Sequence, residues 1–275
     1  MIKTRQRRPL VSYLAPPSTI QVEQGDLSAI STERIALIAQ YSAAPDQPRS
    51  LSEYVAALAR AGFTPIIIST CPSEDPLEFP HGLHPSTVVL RRPNIGYDFG
   101  SWASALAFLP QVKTANTVLL TNDSLLGPFS DIQQILEWAC EPGPDIRSLT
   151  SSHQYVLHHQ SYFLAFRGGI LADPAWEEFF ARIRVEPDKE RIVLRYEIEL
   201  SRAAFSEGYS VESYVSAPEL GCPDDNPTIE GWKAILDEGI PFVKRTMLTH
   251  PDLDTQVREV RAEVAARYLT NIDLW

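Results

Sequence analysis

Cysteine is scarce in this chain. Cys71, Cys140 and Cys222 stand far apart with no paired metal-type spacing, which argues against a disulfide framework and a cysteine-ligated metal centre. Buried thiols in a reduced, cytoplasmic chain are the expectation. Long apolar runs are missing too: no segment approaches the ~20 residues needed to cross a bilayer. Lys3, Arg5, Arg7 and Arg8 crowd the start of the chain, but no apolar signal-peptide core follows them. Positive charge is the minority sign, with 24 Lys and Arg against 35 Asp and Glu for a net charge of −11. So acidic a balance argues against general nucleic-acid binding. Also missing are internal repeats, low-complexity tracts, a Walker loop and a Ser-His-Asp order.

What is present fits a globular chain: 275 residues, 44% of them hydrophobic, can bury a full core. Apolar β-branched runs at 35–39, 64–68, 88–90 and 118–120 alternate with helical patterns at 51–61, 98–108 and 131–139. Gly62 supplies the first helix with a stop. This rhythm predicts an α/β fold with a mainly parallel central sheet and helices on both faces. Further on, 161–166 reads as a strand and 174–183 as a helix. A longer helix is expected over 190–207, where Ile192, Tyr196, Leu200 and Ala203 share a face before Gly208. Pro16-Pro17 suggests an extended basic arm over 1–33, either a solvated tail or a contact with an anionic membrane face. Val257, Val260, Val264 and Tyr268 make one stripe of a C-terminal amphipathic helix within 251–275, for packing on the body or a homodimer contact. Nothing forces a domain cut within 34–250.

Two short polar motifs stand where such a sheet presents residues to a ligand. Arg91-Arg92-Pro93-Asn94-Ile95-Gly96-Tyr97-Asp98 follows the strand at 88–90, and Thr121-Asn122-Asp123-Ser124 follows the strand at 118–120. Ligands of open α/β sheets bind outside the carboxyl ends of strands, so two such ends suggest one site.

These residues also carry a resemblance. The run Asn94-Ile95-Gly96-Tyr97-Asp98-Phe99-Gly100-Ser101-Trp102 comes first, followed by Thr121-Asn122-Asp123-Ser124-Leu125-Leu126-Gly127-Pro128 and His159-Gln160-Ser161-Tyr162-Phe163-Leu164-Ala165-Phe166-Arg167. Tyr196-Glu197-Ile198-Glu199-Leu200-Ser201 with Gly208-Tyr209, and then Gly239-Ile240-Pro241-Phe242-Val243-Lys244, complete the order. Together they resemble the rhamnan-synthesis F family of bacterial polysaccharide glycosyltransferases. The resemblance implies a GT-A-like nucleotide-diphospho-sugar transferase. Such an enzyme would move a sugar, rhamnose or another deoxysugar, from a nucleotide-diphosphate donor to a growing surface polysaccharide or lipid-linked acceptor, with inversion. It further implies a cytoplasmic protein, peripheral at the inner face of the plasma membrane.

Under that resemblance the candidate roles divide as follows. Charge growing on the leaving diphosphate calls for a divalent cation, Mg²⁺ or Mn²⁺, and Asp123 is the candidate ligand. GT-A enzymes commonly carry Asp-x-Asp at this strand end, whereas this chain reads Asn122-Asp123-Ser124, a sequence that also suits an ordinary turn. Asn94, Gly96, Asp98 and Asn122 would frame the donor, with Gly96 allowing close backbone approach, although Asp98 equally suits a helix N-cap. Lys244 would neutralise diphosphate, and His159 and Gln160 would contact sugar or acceptor. His250 is a further metal candidate. Glu197 and Glu199 lie nearly opposite around their helix, so one of them faces the crevice. Glu197 is the candidate general base, with a surface helix glutamate as its ordinary alternative. The competing function is a non-catalytic glycan-binding or scaffolding protein of a polysaccharide assembly complex.

Overall fold

The computed structural model describes residues 8–250 and 254–275. In chain order its strands are β1 (Gln21–Gln24), β2 (Arg34–Gln40), β3 (Thr64–Ser69), β4 (Val88–Arg91), β5 (Thr117–Asn122), β6 (Leu125–Leu126), β7 (Ile146–Ser152), β8 (His158–His159), β9 (Phe163–Arg167), β10 (Val211–Ser216) and β11 (Val243–Lys244). The α-helices are α1 (Val11–Leu14), α2 (Arg49–Arg60), α3 (Tyr97–Phe108), α4 (Gln133–Cys140), α5 (Pro174–Ala181), α6 (Lys189–Ile192), α7 (Ile198–Ser206), α8 (Trp232–Asp237), α9 (Thr246–Thr249) and α10 (Asp254–Tyr268).

One sheet of nine strands runs in the order β1-β4-β3-β2-β5-β9-β7-β10, with β8 on β7, and β11 pairs β6 in a small separate ribbon. The pairings β2/β3, β3/β4, β2/β5 and β7/β10 are parallel, whereas β1/β4, β5/β9, β7/β9 and β7/β8 are antiparallel. The sheet is therefore mixed, which corrects the expectation of a mainly parallel one. The cause lies in the connections: the chain from β7 through β8 to β9 carries no crossover helix, so β9 returns antiparallel between β5 and β7.

Helices cover both faces as expected. On one face α1, α3, α5 and α7 pack over Ile35, Leu37, Ile66 and Leu120; on the other, α2, α4 and α8 cover Ile38, Ile67 and Leu119. α2 buries Leu51, Tyr54, Val55 and Leu58 and stops where Gly62 takes φ +82°. α3 centres on the fully buried Trp102, whose Nε1 donates to the carbonyls of Leu37 and Thr121 at 3.2 and 3.1 Å. That single side chain ties together the two strands that flank the point where strand order reverses.

The expected arm behaves otherwise from Pro9 onward. Val11, Ala15 and Ile20 are buried, Val11 N–H donates to the carbonyl of Ile183 at 2.8 Å, and β1 joins the sheet edge. Apolar residues at this spacing stabilise more by burial than a solvated tail could. Arg8 pairs with Glu186, while Lys3, Arg5 and Arg7 lie outside the described residues. At the other end, Val260 and Val264 of α10 are buried against Leu126, Trp232 and Met247, and Val257 is buried as well, so the stripe packs on the body. No helix among the described residues is long and apolar enough to cross a membrane.

Candidate active site

Strands β2, β3 and β4 are laid outward in one direction, and the chain then returns to place β5 on the other side of β2. A crevice opens beyond the carboxyl ends of strands at such a reversal. Tyr41, next after β2, donates its N–H to Asp123 Oδ2 at 3.1 Å, so Asp123 spans the reversal point. Asn122 shapes the turn: its Oδ1 accepts from Ser124 N–H and Oγ, and its Nδ2 donates to Asp98 Oδ2 at 2.9 Å. This last bond draws the first turn of α3 against the end of β5. Asp98 is not the N-cap; Gly96 holds that place in a left-handed conformation, with no side-chain cap.

Lys244 arrives by a different route. The β6/β11 ribbon sets Lys244 opposite Leu125, two residues beyond Asp123, and its Nζ donates to Thr228 Oγ1 at 3.0 Å. Glu197 closes a five-residue π-helical turn between α6 and α7, an irregularity frequent at functional sites. Its Oε2 accepts from Ser161 N–H at 2.7 Å and from the Ser161 hydroxyl, and its Oε1 lies 3.4 Å from His158 Nε2. Glu199 points away and pairs with Arg202 on the surface.

The result is a cavity of about 540 Å³ into which Asp98, Asp123, Glu197, Lys189, Lys244 and Gln160 all project. Its electrostatics follow from burial and crowding. Burial, reinforced by the neighbouring Asp98 charge, pushes Asp123 up to about 7, with the Tyr41 N–H and Arg245 opposing. Burial also raises Asp98, against Lys189 and the Asn122 bond. Burial pushes Lys244 down to about 8, helped by Lys189 and countered by Glu197 and Asp98. For Glu197 burial favours the proton, but His158 and Ser161 outweigh it and hold the carboxyl below its ordinary range. His158 mirrors this: burial disfavours its charge, yet Glu197 raises it, and both ring nitrogens face acceptors, Glu197 and the carbonyl of Val156. A proton on each nitrogen would satisfy both acceptors at once.

Among the sequence candidates, Asp98, Asn122, Asp123, Gln160, Glu197 and Lys244 therefore line one cavity. Asn94, Gly96, His159 and His250 are not among its lining residues. Asn94 is exposed on the loop before α3. A Cβ on Gly96 would lie 2.5 Å from Val11 Cγ2, so the close approach that glycine permits is to the chain's own first helix. His159 is buried, bonds Ser148 Oγ through Nδ1 at 2.7 Å and is pushed down to about 4 by burial and by His158. It packs against Phe205 as a neutral core residue. Sequence reasoning missed Lys189, Asn226, Tyr97 and Tyr155, all of which line the cavity. Tyr155 carries a legible signal, since Tyr155-Val156-Leu157 is an apolar triplet inside a polar loop.

Among the described residues no group of three or more His, Cys, Asp or Glu side chains gathers as a metal cluster. A larger groove of about 740 Å³ lies on the Glu199 side of the long helix, but its buried Glu186 is already paired with Arg8 and Arg195.

A family model for rhamnan synthesis protein F matches residues 85–274. The virulence protein VirA of Vibrio anguillarum is 26% identical over 211 residues, covering 63% of this chain and 67% of that protein. The uncharacterized protein y4gN of Sinorhizobium fredii is 23% identical over 155 residues, covering 54% of this chain and 40% of its own length. The matched region holds every residue of the cavity.

Proposed function

The chain belongs to the rhamnan synthesis protein F family, and from that premise we propose that it is a GT-A-like glycosyltransferase. In this reading it moves a sugar from a nucleoside-diphosphate donor to a surface-polysaccharide acceptor. Family membership supports a role in polysaccharide synthesis. The observation that carries the finer reading is the meeting of Asp98, Asp123 and Glu197 with Lys189 and Lys244 in one cavity at the strand-order reversal. Cations meet the diphosphate there, and carboxylates are available for a metal ion and for a proton.

The donor set fits a divalent cation. Asp123 and Asp98 are carboxylates close enough for one charge to raise the other's pKa, a repulsion that a bound cation relieves. Mg²⁺ takes one or two carboxylates and fills its shell with phosphate oxygens and water. Such an ion would neutralise charge growing on the leaving diphosphate. The chain's own residues do the rest. Lys244, held toward the cavity by Thr228, contributes positive charge beside the phosphates. Glu197, kept ionised by Ser161 and His158, takes the proton of the acceptor hydroxyl as that oxygen attacks the anomeric carbon. The low pKa of Glu197 ensures the ionised form at neutral pH while reducing its strength as a base.

One observation favours the second reading, a glycan-binding or scaffolding protein: both Glu197 oxygens already have partners. Glu197→Gln separates the two. As an enzyme, the variant keeps donor affinity and loses about 10²-fold or more in transfer to a rhamnan oligosaccharide, the usual scale for a general base. Glu199→Gln, on the far side of the helix, keeps both. If the parent protein turns over none of a panel of nucleotide sugars, the scaffold reading stands.

A further inference from the structure

Positive φ is rare for residues other than glycine, and at bulky side chains it marks a turn or a functional constraint. Among the described residues three such positions occur: Tyr97 at φ 53°, Tyr155 at φ 80° and Leu269 at φ 53°. Two of the three are tyrosines, and both line the cavity of Asp98, Asp123 and Glu197. Both are open to solvent, at 43% and 55% exposure. An amphipathic aromatic ring held at a cavity mouth in an unfavourable backbone conformation, and left uncovered, lacks a packing reason for its place.

The chain also fixes the backbone that carries each ring. Gly96 and Tyr97 are consecutive left-handed residues at the start of α3, which turns the chain sharply just before Asp98. The loop of Tyr155, which lines the same cavity, is pinned on both sides. Gln154 N–H donates to Ser152 Oγ at 3.1 Å, and His158 Nδ1 holds the carbonyl of Val156 at 2.8 Å. His158 in turn faces Glu197, so the ring of Tyr155 and the candidate base share one support. Neutral amides line the same cavity, Gln160 Nε2 donating to Asn226 Oδ1 at 3.0 Å. A ligand here meets aromatic faces and amide hydrogen-bonding groups, the combination that suits a sugar ring with one apolar face and several hydroxyls.

We propose that Tyr97 and Tyr155 form an acceptor subsite that stacks the terminal sugar ring of the glycan beside Glu197. The inference rests on the transferase reading of the cavity and adds to it the side on which the acceptor lies. It favours a sugar over the donor's nucleobase because Tyr155 shares its support with the proton acceptor, and only the acceptor hydroxyl needs to reach that group.

The test measures two affinities on each protein, one for a rhamnan oligosaccharide by saturation-transfer NMR and one for nucleoside diphosphates by calorimetry. Tyr155→Ala and Tyr97→Ala should each weaken oligosaccharide binding by about tenfold, the order expected of one lost stacking contact. Nucleotide affinity should stay within about twofold of the parent. Tyr155→Phe, which keeps the ring, should retain oligosaccharide binding, and unchanged circular dichroism excludes misfolding as the cause. Loss of nucleotide affinity with oligosaccharide binding intact overturns the inference and makes the pair a nucleobase platform. A parent protein that binds nucleotide but not oligosaccharide also overturns it while leaving the transferase reading in place. Oligosaccharide binding that depends on both tyrosines, without any nucleotide binding, upholds the pair as a sugar-stacking site but overturns its role as an acceptor subsite together with the transferase reading.

Discussion

The two halves of the central sheet bury their strands by different chemistry. In β2 and β3 the buried positions are mostly Ile, Leu and Ala, fully enclosed between helices. β7 is just as deeply buried along all seven residues, yet it reads Ile-Arg-Ser-Leu-Thr-Ser-Ser. Its hydroxyls are engaged: Ser148 bonds His159, and Thr150 bonds both Gln160 and the hydroxyl of Tyr162. Buried polar groups with partners add little net stability each, but leaving one unpaired costs more. The apolar half is scaffold, and the polar half is a network that positions Gln160, His158 and Glu197 at the cavity.

Substitutions in each half test that division. Leu37→Ala, at a fully buried β2 position, should lower unfolding free energy by about 2–5 kcal/mol through lost transfer energy and a residual cavity. Ligand affinity of the folded fraction should not change. Chemical denaturation with parallel calorimetry checks both; an equal loss of affinity would erase the distinction. Thr150→Val conserves shape while stranding Gln160 Oε1 and the Tyr162 hydroxyl, at an expected cost of about 1–3 kcal/mol. Here oligosaccharide affinity should fall as well, because Gln160 lines the cavity. A stability loss without any change in binding would make the polar half mere scaffold.

The smallest effect concerns pH. His158 has its pKa raised above the ordinary 6.5, and Glu197 has its pKa lowered below 4.5, burial opposing each shift and their mutual attraction prevailing. The pair's contribution is fully present between those ordinary values. It is lost as pH rises through the raised value of His158 and as pH falls through the lowered value of Glu197. Thermal melts of the parent and of His158→Gln should therefore diverge most near pH 5–6 and converge in mild alkali. A gap that stays constant to high pH would mean His158 carries no charge.

The same contrast explains what was legible in the sequence. β2, β3, β4 and β5 announce themselves as aliphatic runs between helical patterns, and the stripe of α10 follows helical spacing. β7 and β10 escape that logic, because serine and threonine at buried or half-buried strand positions read as loop until their partners are known. At the site, Asp98, Asn122 and Asp123 are readable because strand ends define crevices. A close backbone approach at Gly96 is readable too, but not that Val11, far upstream, is what approaches it. His159 ends β8 and Gln160 follows it directly, yet one is a core residue and the other lines the cavity. Pattern alone leaves open which is which.

Calorimetric titration of nucleoside diphosphates with and without Mn²⁺, on the parent and on Asp123→Ala, tests the central claim most directly. Asp123 has a pKa of about 7 in the free protein, because it is buried beside Asp98, and the ionised form is needed to hold a cation. Metal-dependent affinity should therefore rise with pH up to about 7 and level off above it, by up to about tenfold per unit below. The account predicts metal-dependent binding with that profile in the parent and its loss in Asp123→Ala, with circular dichroism unchanged. Binding of equal strength and equal metal dependence in Asp123→Ala, or none in the parent, would contradict it.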